Sequence, residues 1–537
     1  MMRSSARLCA FALVVCLVIP CVRALTLQDI GGTLAFQGQD IIGGAAIIFK
    51  PPKRVRDLAG TTAPMLAARR PSRSVRPAEV ARNNNVADRN RPAAQPTPTT
   101  VATTIVENRA ETLKEQGNTH YDSGDYQQAI ESYQNALKID ANDADIYNNL
   151  GAAYFNLNRA SEAAVAFEKS ISLKSDDADA FNNLGASLYK AGRYQEASEA
   201  FQNAVRLTPT DADALNNLGA VYYVLEQYDR ALDSFQKATA ANPNSADAHY
   251  NLGNAYYMSG RNPEAQAAYR RAIQLKPDYA EAQINLGSLL IATVPSIAAS
   301  ELLAALRLQP NNPVAYNNLG YAYVKIAETA DRTNAVQYLR QAVEAYKEAL
   351  RLKPDYVKAM NNLGAAYNKL GQYQEAVALL RNATRAKPDF PEAHYNLGTA
   401  FYNTGDFKGA VNEFQQAVRL RQDYADAYNS LGTALYRDGQ FDAAIDAYKK
   451  TLTIKEWNAE TNNNLGTVYF RTKRYQEAAA SFKEAIRMMP DYAEAHFNLA
   501  LAYVALNDRK AALEQYNRLK KLDPKLADEF FQKYVKK

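Results

Sequence analysis

The thirty-four residues 212–245, ADALNNLGAVYYVLEQYDRALDSFQKATAANPNS, decide how this chain folds. Counting Ala212 as position 1 puts Leu215 at 4, Leu218 at 7, Gly219 at 8 and Tyr222 at 11, a spacing that gathers them on one stripe of a helix. Ala231 at 20, Phe235 at 24 and Ala238 at 27 make the stripe of a second helix, and Pro243 at 32 stops it. Small residues at 8 and 20 allow the two helices to approach closely, with the ring at 24 filling the space beside them. Such a helix pair cannot bury its apolar stripes alone, so it predicts neighbours of the same kind.

Those neighbours are in the sequence. Position 8 recurs at Gly117, Gly151, Gly185, Gly219, Gly253, Gly287, Gly320, Gly364, Gly398, Gly432, Gly466 and Ala500. The spacings are 34 residues five times, then 33, 44, and 34 four times. Twelve units in register over 107–524 predict an all-α solenoid of stacked helix pairs. Departures are local: Gln283 stands at position 4, His120 at 11, and Ala141, Ser175, Gln422 and Glu456 where proline is expected. Beyond Pro524, Leu526, Phe530, Phe531, Tyr534 and Val535 keep a helical spacing and predict a capping helix over 525–537. The array is irregular over 280–356. The unit from Ala280 is one residue short, with Val294-Pro295 in its turn, and the unit from Pro313 carries about ten extra residues around 326–339, which predicts longer helices. That break divides the array six and six, either as a hinge or protruding partner site or as a neutral insertion.

In these positions the chain resembles the tetratricopeptide repeat (TPR) family. The resemblance spans 110–524 and implies a right-handed α-solenoid whose concave groove binds peptide or protein partners.

The front of the chain is different. Arg3 and Arg7 precede the apolar run Leu8–Val22, and Val22-Arg23-Ala24 supplies small residues at −3 and −1, so residues 1–24 read as a secretory signal cut after Ala24. An uncleaved anchor or a lipoprotein site at Cys21 is the alternative. Residues 25–49 mix β-prone runs with Gly-Gly pairs and predict a strand pair. Residues 50–106 are rich in Pro, Ala, Thr and Arg and read as a disordered basic linker. Residues 1–106 hold 14 Lys/Arg against 5 Asp/Glu, whereas the remainder holds 48 against 52. The net charge of +5 therefore belongs to the front. No aromatics interleave with the linker arginines, so nucleic acid is not an expected partner, and 1–106 is the part available for membrane contact.

Composition argues against catalysis. All three cysteines, Cys9, Cys16 and Cys21, lie within the signal, which leaves no thiol chemistry or thiolate metal site after cleavage. Three of the four histidines, His249, His394 and His496, occupy position 4, a core slot, one per unit. Ser187-x-x-Lys190 and Ser234-x-x-Lys237 match a nucleophile motif by letter only, inside repeat helices. No cofactor, no metal and no enzymatic activity are expected.

One recurrence is not explained by the core of the unit. On a helical wheel, positions 2, 5, 6, 9, 12 and 13 lie opposite the stripe formed by 4, 7, 8 and 11. Position 6 is asparagine in ten of twelve units: Asn149, Asn183, Asn217, Asn251, Asn285, Asn318, Asn362, Asn396, Asn464 and Asn498. Position 5 adds Asn148, Asn182, Asn216, Asn317, Asn361, Asn429 and Asn463. Asparagine is a mediocre helix former, so helix stability is not the reason. Position 12 is aromatic at Phe155, Tyr189, Tyr223, Tyr257, Tyr402, Tyr436 and Phe470, and position 13 is cationic at Lys190, Lys325, Lys369, Arg437 and Arg471. Position 9 is small at Ala152, Ala186, Ala220, Ala365, Thr399, Thr433 and Thr467, leaving room for a ligand.

The ladder is similar to that of the O-linked N-acetylglucosamine transferase repeats, and the resemblance implies asparagines that grip the main chain of an extended peptide. That enzyme's catalytic domain is not expected, since 13 residues follow the last repeat proline. A carboxamide can donate to a peptide C=O and accept from an N–H. The competing role is bonding between neighbouring repeats, which sets their pitch. The expectation is an exported, non-catalytic adaptor or assembly scaffold that binds peptide or protein in its groove. The alternative is a cell-envelope assembly component (secretion, pilus or outer-membrane biogenesis) docked by its N-terminal segment.

Overall fold

The computed structural model describes residues 98–535, and among them there are twenty-five α-helices and no strand. Each repeat is a pair, an A helix such as Ala212–Val224 followed by a B helix such as Tyr228–Ala241. Within each of the chain's two units, helices that are neighbours in sequence pack on one another. The chain divides into two compact units, 98–289 and 290–537, and each is a stack of such pairs. The division falls at the end of the first helix of the sixth repeat, Ala280–Leu290.

The pairing follows from the glycine at position 8. A Cβ built on Gly219 would lie 2.7 Å from Cδ1 of Phe235, whose ring is fully buried. The same close contact recurs from Gly117 with Tyr133 to Gly466 with Phe482, against a ring in every such pair but that of Gly364, which meets Leu380, so the closest approach of the two helices is set by absence of a side chain. Position 3, which the stripe assignment passed over, is also core: Ala180, Ala214, Ala282, Ala315, Ala359, Ala393 and Ala427 are completely buried.

The turn between A and B helices carries a backbone requirement. Position 15 is left-handed in ten units: six are glycines, and Asn158, Glu226, Lys473 and Asn507 adopt φ of 62°, 58°, 63° and 60°. Several A helices start on side-chain caps, with Asp143, Asp177 and Asp211 accepting from N–H groups two or three residues on, whereas those preceded by Tyr356, Phe390, Tyr424 and Tyr492 have none. Position-4 polar residues anchor the preceding loop. His249, His394 and His496 place Nε2 3.1, 3.0 and 3.1 Å from the carbonyls of Pro243, Pro388 and Pro490, and Gln283 donates to Pro277 O at 3.2 Å. Gln283 thus performs the histidine's task, and the departure is not a defect.

The irregular centre is helical. Ala280–Leu290 and Pro295–Leu308 are followed by Pro313–Thr329 and Arg332–Leu352, 17 and 21 residues long against 13 and 14 in a regular unit. The extra residues lengthen both helices, as their spacing predicted. At the far end, helix Pro524–Phe530 closes the last repeat, with Phe530 buried against Phe497 and Tyr516 at ring-centroid distances of 6.0 and 6.2 Å.

The expected signal 1–24, strand pair 25–49 and most of the linker, 50–97, lie outside the described residues. The end of the linker needs correction. Residues 98–106 are the start of helix Pro98–Asp122 rather than disordered chain. Pro98 is the last proline before the array, proline is tolerated in a first helical turn, and no breaker follows until Gly117. No helix among the described residues is long and apolar enough to cross a membrane.

Candidate functional site

The asparagine rows are seams between repeats. Position 6 donates from Nδ2 to the position-5 Oδ1 of the preceding unit: Asn217 to Asn182 at 2.9 Å, Asn251 to Asn216 at 3.1 Å, Asn362 to Asn317 at 3.1 Å, Asn396 to Asn361 at 2.8 Å and Asn498 to Asn463 at 3.0 Å. Where the preceding position 5 is not asparagine, the donor finds another acceptor. Asn149 reaches Asn118 at 3.2 Å, and Asn285 reaches Asn254 at 2.9 Å and the Tyr250 hydroxyl at 3.3 Å. At the break in the ladder, Thr461 donates to Asn429 at 3.0 Å. All ten position-6 side chains are buried, Asn183, Asn318 and Asn464 among them.

This corrects the wheel in one respect. Positions 5, 6 and 9 do not face open space: Ala152, Ala186, Ala220, Ala365, Thr399, Thr433 and Thr467 are buried as well, so position 9 leaves no room for a ligand in this packing. A wheel drawn for one helix places them opposite that helix's own partner, but A helices of consecutive units touch and cover this face. The seam is not fully satisfied. Oδ1 of Asn217, Asn251 and Asn285 is buried without a donor, whereas in the other unit Asn317 and Asn361 supply one to Asn318 and Asn362 at 3.4 Å.

The aromatic row is closer to the surface. Phe155, Tyr402 and Phe470 are buried, whereas Tyr189, Tyr223, Tyr257 and Tyr436 are partly exposed. The rings brace the turn. Tyr189 meets Tyr194 edge-on at 5.3 Å, Tyr223 meets Tyr228 at 5.6 Å, Tyr402 meets Phe407 at 5.3 Å and Phe470 meets Tyr475 at 5.3 Å. Burial pushes the Tyr189 and Tyr223 phenols well above the usual tyrosine value, so they stay neutral hydrogen-bonding groups.

Position-13 cations reach back one repeat. Lys190 Nζ sits 4.3 Å above the Phe155 ring, and Arg437 lies 4.6 Å from Phe407 and donates to the Tyr402 hydroxyl at 3.4 Å. Arg471 is exposed. Burial holds the Lys190 ammonium below its ordinary pKa. A parallel row on the other side was missed in the sequence, although its letters recur: arginine at position 16 stacks on tyrosine at position 11, as Arg159 on Tyr154, Arg261 on Tyr256 and Arg474 on Tyr469 at 4.4–4.6 Å.

Charge divides with the structure. Residues 98–289 hold 15 Lys/Arg against 25 Asp/Glu, a balance of −10, and residues 290–537 hold 33 against 27, a balance of +6. The mild acidity of the array as a whole conceals two units of opposite charge balance.

TPR models match residues 117–158, 339–371 and 364–405; tetratricopeptide repeat models match 144–177, 182–246, 217–280, 250–293, 395–458 and 457–525. The chain belongs to the tetratricopeptide repeat proteins, which generally mediate protein–protein interaction and act as scaffolds. The matches leave out 294–338, the irregular centre. No curated protein sequence matches the chain. Among solved structures it is similar to the APC/C hetero-tetramer Cut9–Hcn1, at 15% identity over 82% of this chain and 99% of that one, TM-score 0.38. It is also similar to MamA, at 28% identity over 31% and 96%, TM-score 0.29. A third is YrrB, described as a TPR protein with an unusual peptide-binding site, at 27% identity over 37% and 97%, TM-score 0.31.

Proposed function

We propose that the chain is a non-catalytic, exported scaffold that holds a protein or extended peptide along the A-helix face of its repeats. The observation that carries this reading is the row of partly exposed tyrosines in 98–289, Tyr189, Tyr223 and Tyr257, mounted on a buried asparagine seam. Rings already braced by a neighbour lose little freedom on binding, and tyrosine offers apolar area with a polar tip. The seam's part is to hold those rings at a constant spacing. The acidic balance of 98–289 favours a basic partner there.

Export rests on residues 1–24. N-terminal sequencing of the mature protein beginning at Leu25 would support it, and an intact Met1 in the cytoplasmic fraction would refute it.

The binding reading is tested by crosslinking capture from the native extract, with mass spectrometry, using three baits: wild type, Tyr189→Ala/Tyr223→Ala/Tyr257→Ala, and Asn217→Ala/Asn251→Ala. The tyrosine variant should lose the partner while keeping its helicity, and the asparagine variant should lose thermal stability. A tyrosine variant that captures the same proteins in the same yield would refute the proposed face.

A further inference from the structure

The insertion in the seventh repeat builds a cleft. At about 1.5 Å per residue, the 21-residue helix Arg332–Leu352 outruns a regular 14-residue B helix by roughly 10 Å. The following repeat is of normal length, with helix Val357–Lys369 turning at Leu370–Gln372, so the overhang is left uncovered on one side. Val336, Arg340 and Val343 face that turn across a cleft of about 400 Å³, whose opposite wall is Tyr367, Lys369 and Leu370. This is the size range of a ligand pocket, and the overhanging residues up to 338 lie in the stretch that the repeat models leave unmatched.

The walls state a chemistry. Val336 is 38% exposed at the rim of the cleft, so it has a face to bury. Arg340 has no carboxylate partner among the described residues. Lys369 is partly buried, and its carboxylate, Glu328 at 3.6 Å, is shared with Lys325 at 2.8 Å. Burial and the neighbouring Lys325 hold the Lys369 ammonium below its ordinary pKa despite Glu328. The acids on the walls are Glu344, neutralised by Lys347 at 2.8 Å, and Glu375 at the far edge. The surrounding unit carries the positive balance of +6.

We infer that this cleft is a second binding site, distinct from the row Tyr189, Tyr223 and Tyr257, for a partner peptide segment in which a carboxylate side chain adjoins an apolar one. The carboxylate lies between Arg340 and Lys369, and the apolar side chain covers Val336, Val343 and Leu370. Arginine receives the carboxylate through two parallel N–H donors, which orients the segment as well as holding it.

The test is isothermal titration of the full chain with an N-acetylated, amidated octapeptide of alternating Leu and Asp, and with its Leu/Asn and Leu/Lys counterparts. The Leu/Asp peptide should bind, with about tenfold weaker binding of the Leu/Asn peptide. Arg340→Gln/Lys369→Gln should weaken the Leu/Asp peptide about tenfold, and so should Val336→Asp, which sets a like charge on the floor without touching either cation. Far-UV circular dichroism checks that each variant stays folded. Tyr189→Ala/Tyr223→Ala/Tyr257→Ala should leave this binding unchanged. The inference is overturned if no peptide binds, if the Leu/Asn or Leu/Lys peptide binds as well as Leu/Asp, or if neither cleft variant changes the affinity. Loss in the tyrosine variant alone would also overturn it, while placing the peptide on the A-helix face.

Discussion

The asparagine seam makes a quantitative prediction at Asn182 and Asn217. Asn217 donates to Asn182 at 2.9 Å, and both side chains are almost fully buried. Nδ2 of Asn182 and Oδ1 of Asn217 have no other partner, so the bond between them is the one good contact of two buried amides. Asn217→Ala removes the donor and strands the Asn182 amide, and Asn182→Ala strands that of Asn217. A stranded buried polar group costs about 1–3 kcal/mol, so each single substitution should destabilise the local repeats by about 2 kcal/mol. The double substitution removes both amides and strands nothing, and should cost about the same as either single one. The coupling energy is then about 2 kcal/mol, within the range found for contacting pairs. A repeat array does not unfold as one unit, so the readout is native-state hydrogen exchange of helices 178–190 and 212–224 in all four proteins. Additive single effects, with coupling below about 0.3 kcal/mol, would refute the seam. The recurrent asparagines would then need an external partner to explain them.

Three further outcomes follow from the same structure. Glu226 and Lys473 occupy the left-handed turn position that six other units give to glycine. Glu226→Gly and Lys473→Gly should each stabilise their turn by about 1 kcal/mol in denaturant unfolding, since an L-residue pays roughly 1–2 kcal/mol there and glycine returns part of it as unfolded-chain entropy; a neutral or negative change would refute the strain. Gly219→Ala drives a Cβ into the Phe235 ring and should cost about 1–3 kcal/mol, with Phe235→Leu in the same chain recovering part of the loss of melting temperature. If Gly219→Ala is silent, position 8 does not set the approach of the helices.

The third concerns pH. Burial opposes charge on His394, but Glu413 at 2.6 Å and the Pro388 carbonyl outweigh it and raise its pKa. Its stabilisation is complete below about pH 6.5 and is lost as pH rises through the raised value. His249 is held low by burial, so its repeat should instead weaken as pH falls through about 6.5. Hydrogen exchange of helices 391–404 and 246–258 at pH 5.5 and 8 should show opposite trends, and His394→Gln should abolish the first. Parallel trends would refute the assignment.

Spacing alone located the twelve units, the position-8 glycine against the position-24 ring, the lengthened central helices and the capping helix. Each depends on contacts within a unit or its near neighbour, where a period of 3.6 residues reports directly which side chains share a face. The role of the asparagines was half legible. Their recurrence marked them as used, but the wheel of one helix has no neighbouring repeat in it, and burial by that neighbour is what turns Asn217, Asn251 and Asn362 into struts between units. The left-handed turn was hidden at Glu226 and Lys473, where the letters do not announce the backbone they must adopt. The start of helix Pro98–Asp122 was hidden by composition, since threonine and valine beside prolines resemble linker until the prolines stop. The cleft at Val336, Arg340 and Lys369 could not be read at all, because its walls come from helices whose difference in length matters only once they are packed side by side. Periodicity determines which residues a helix buries; stacking determines what is left uncovered for a partner.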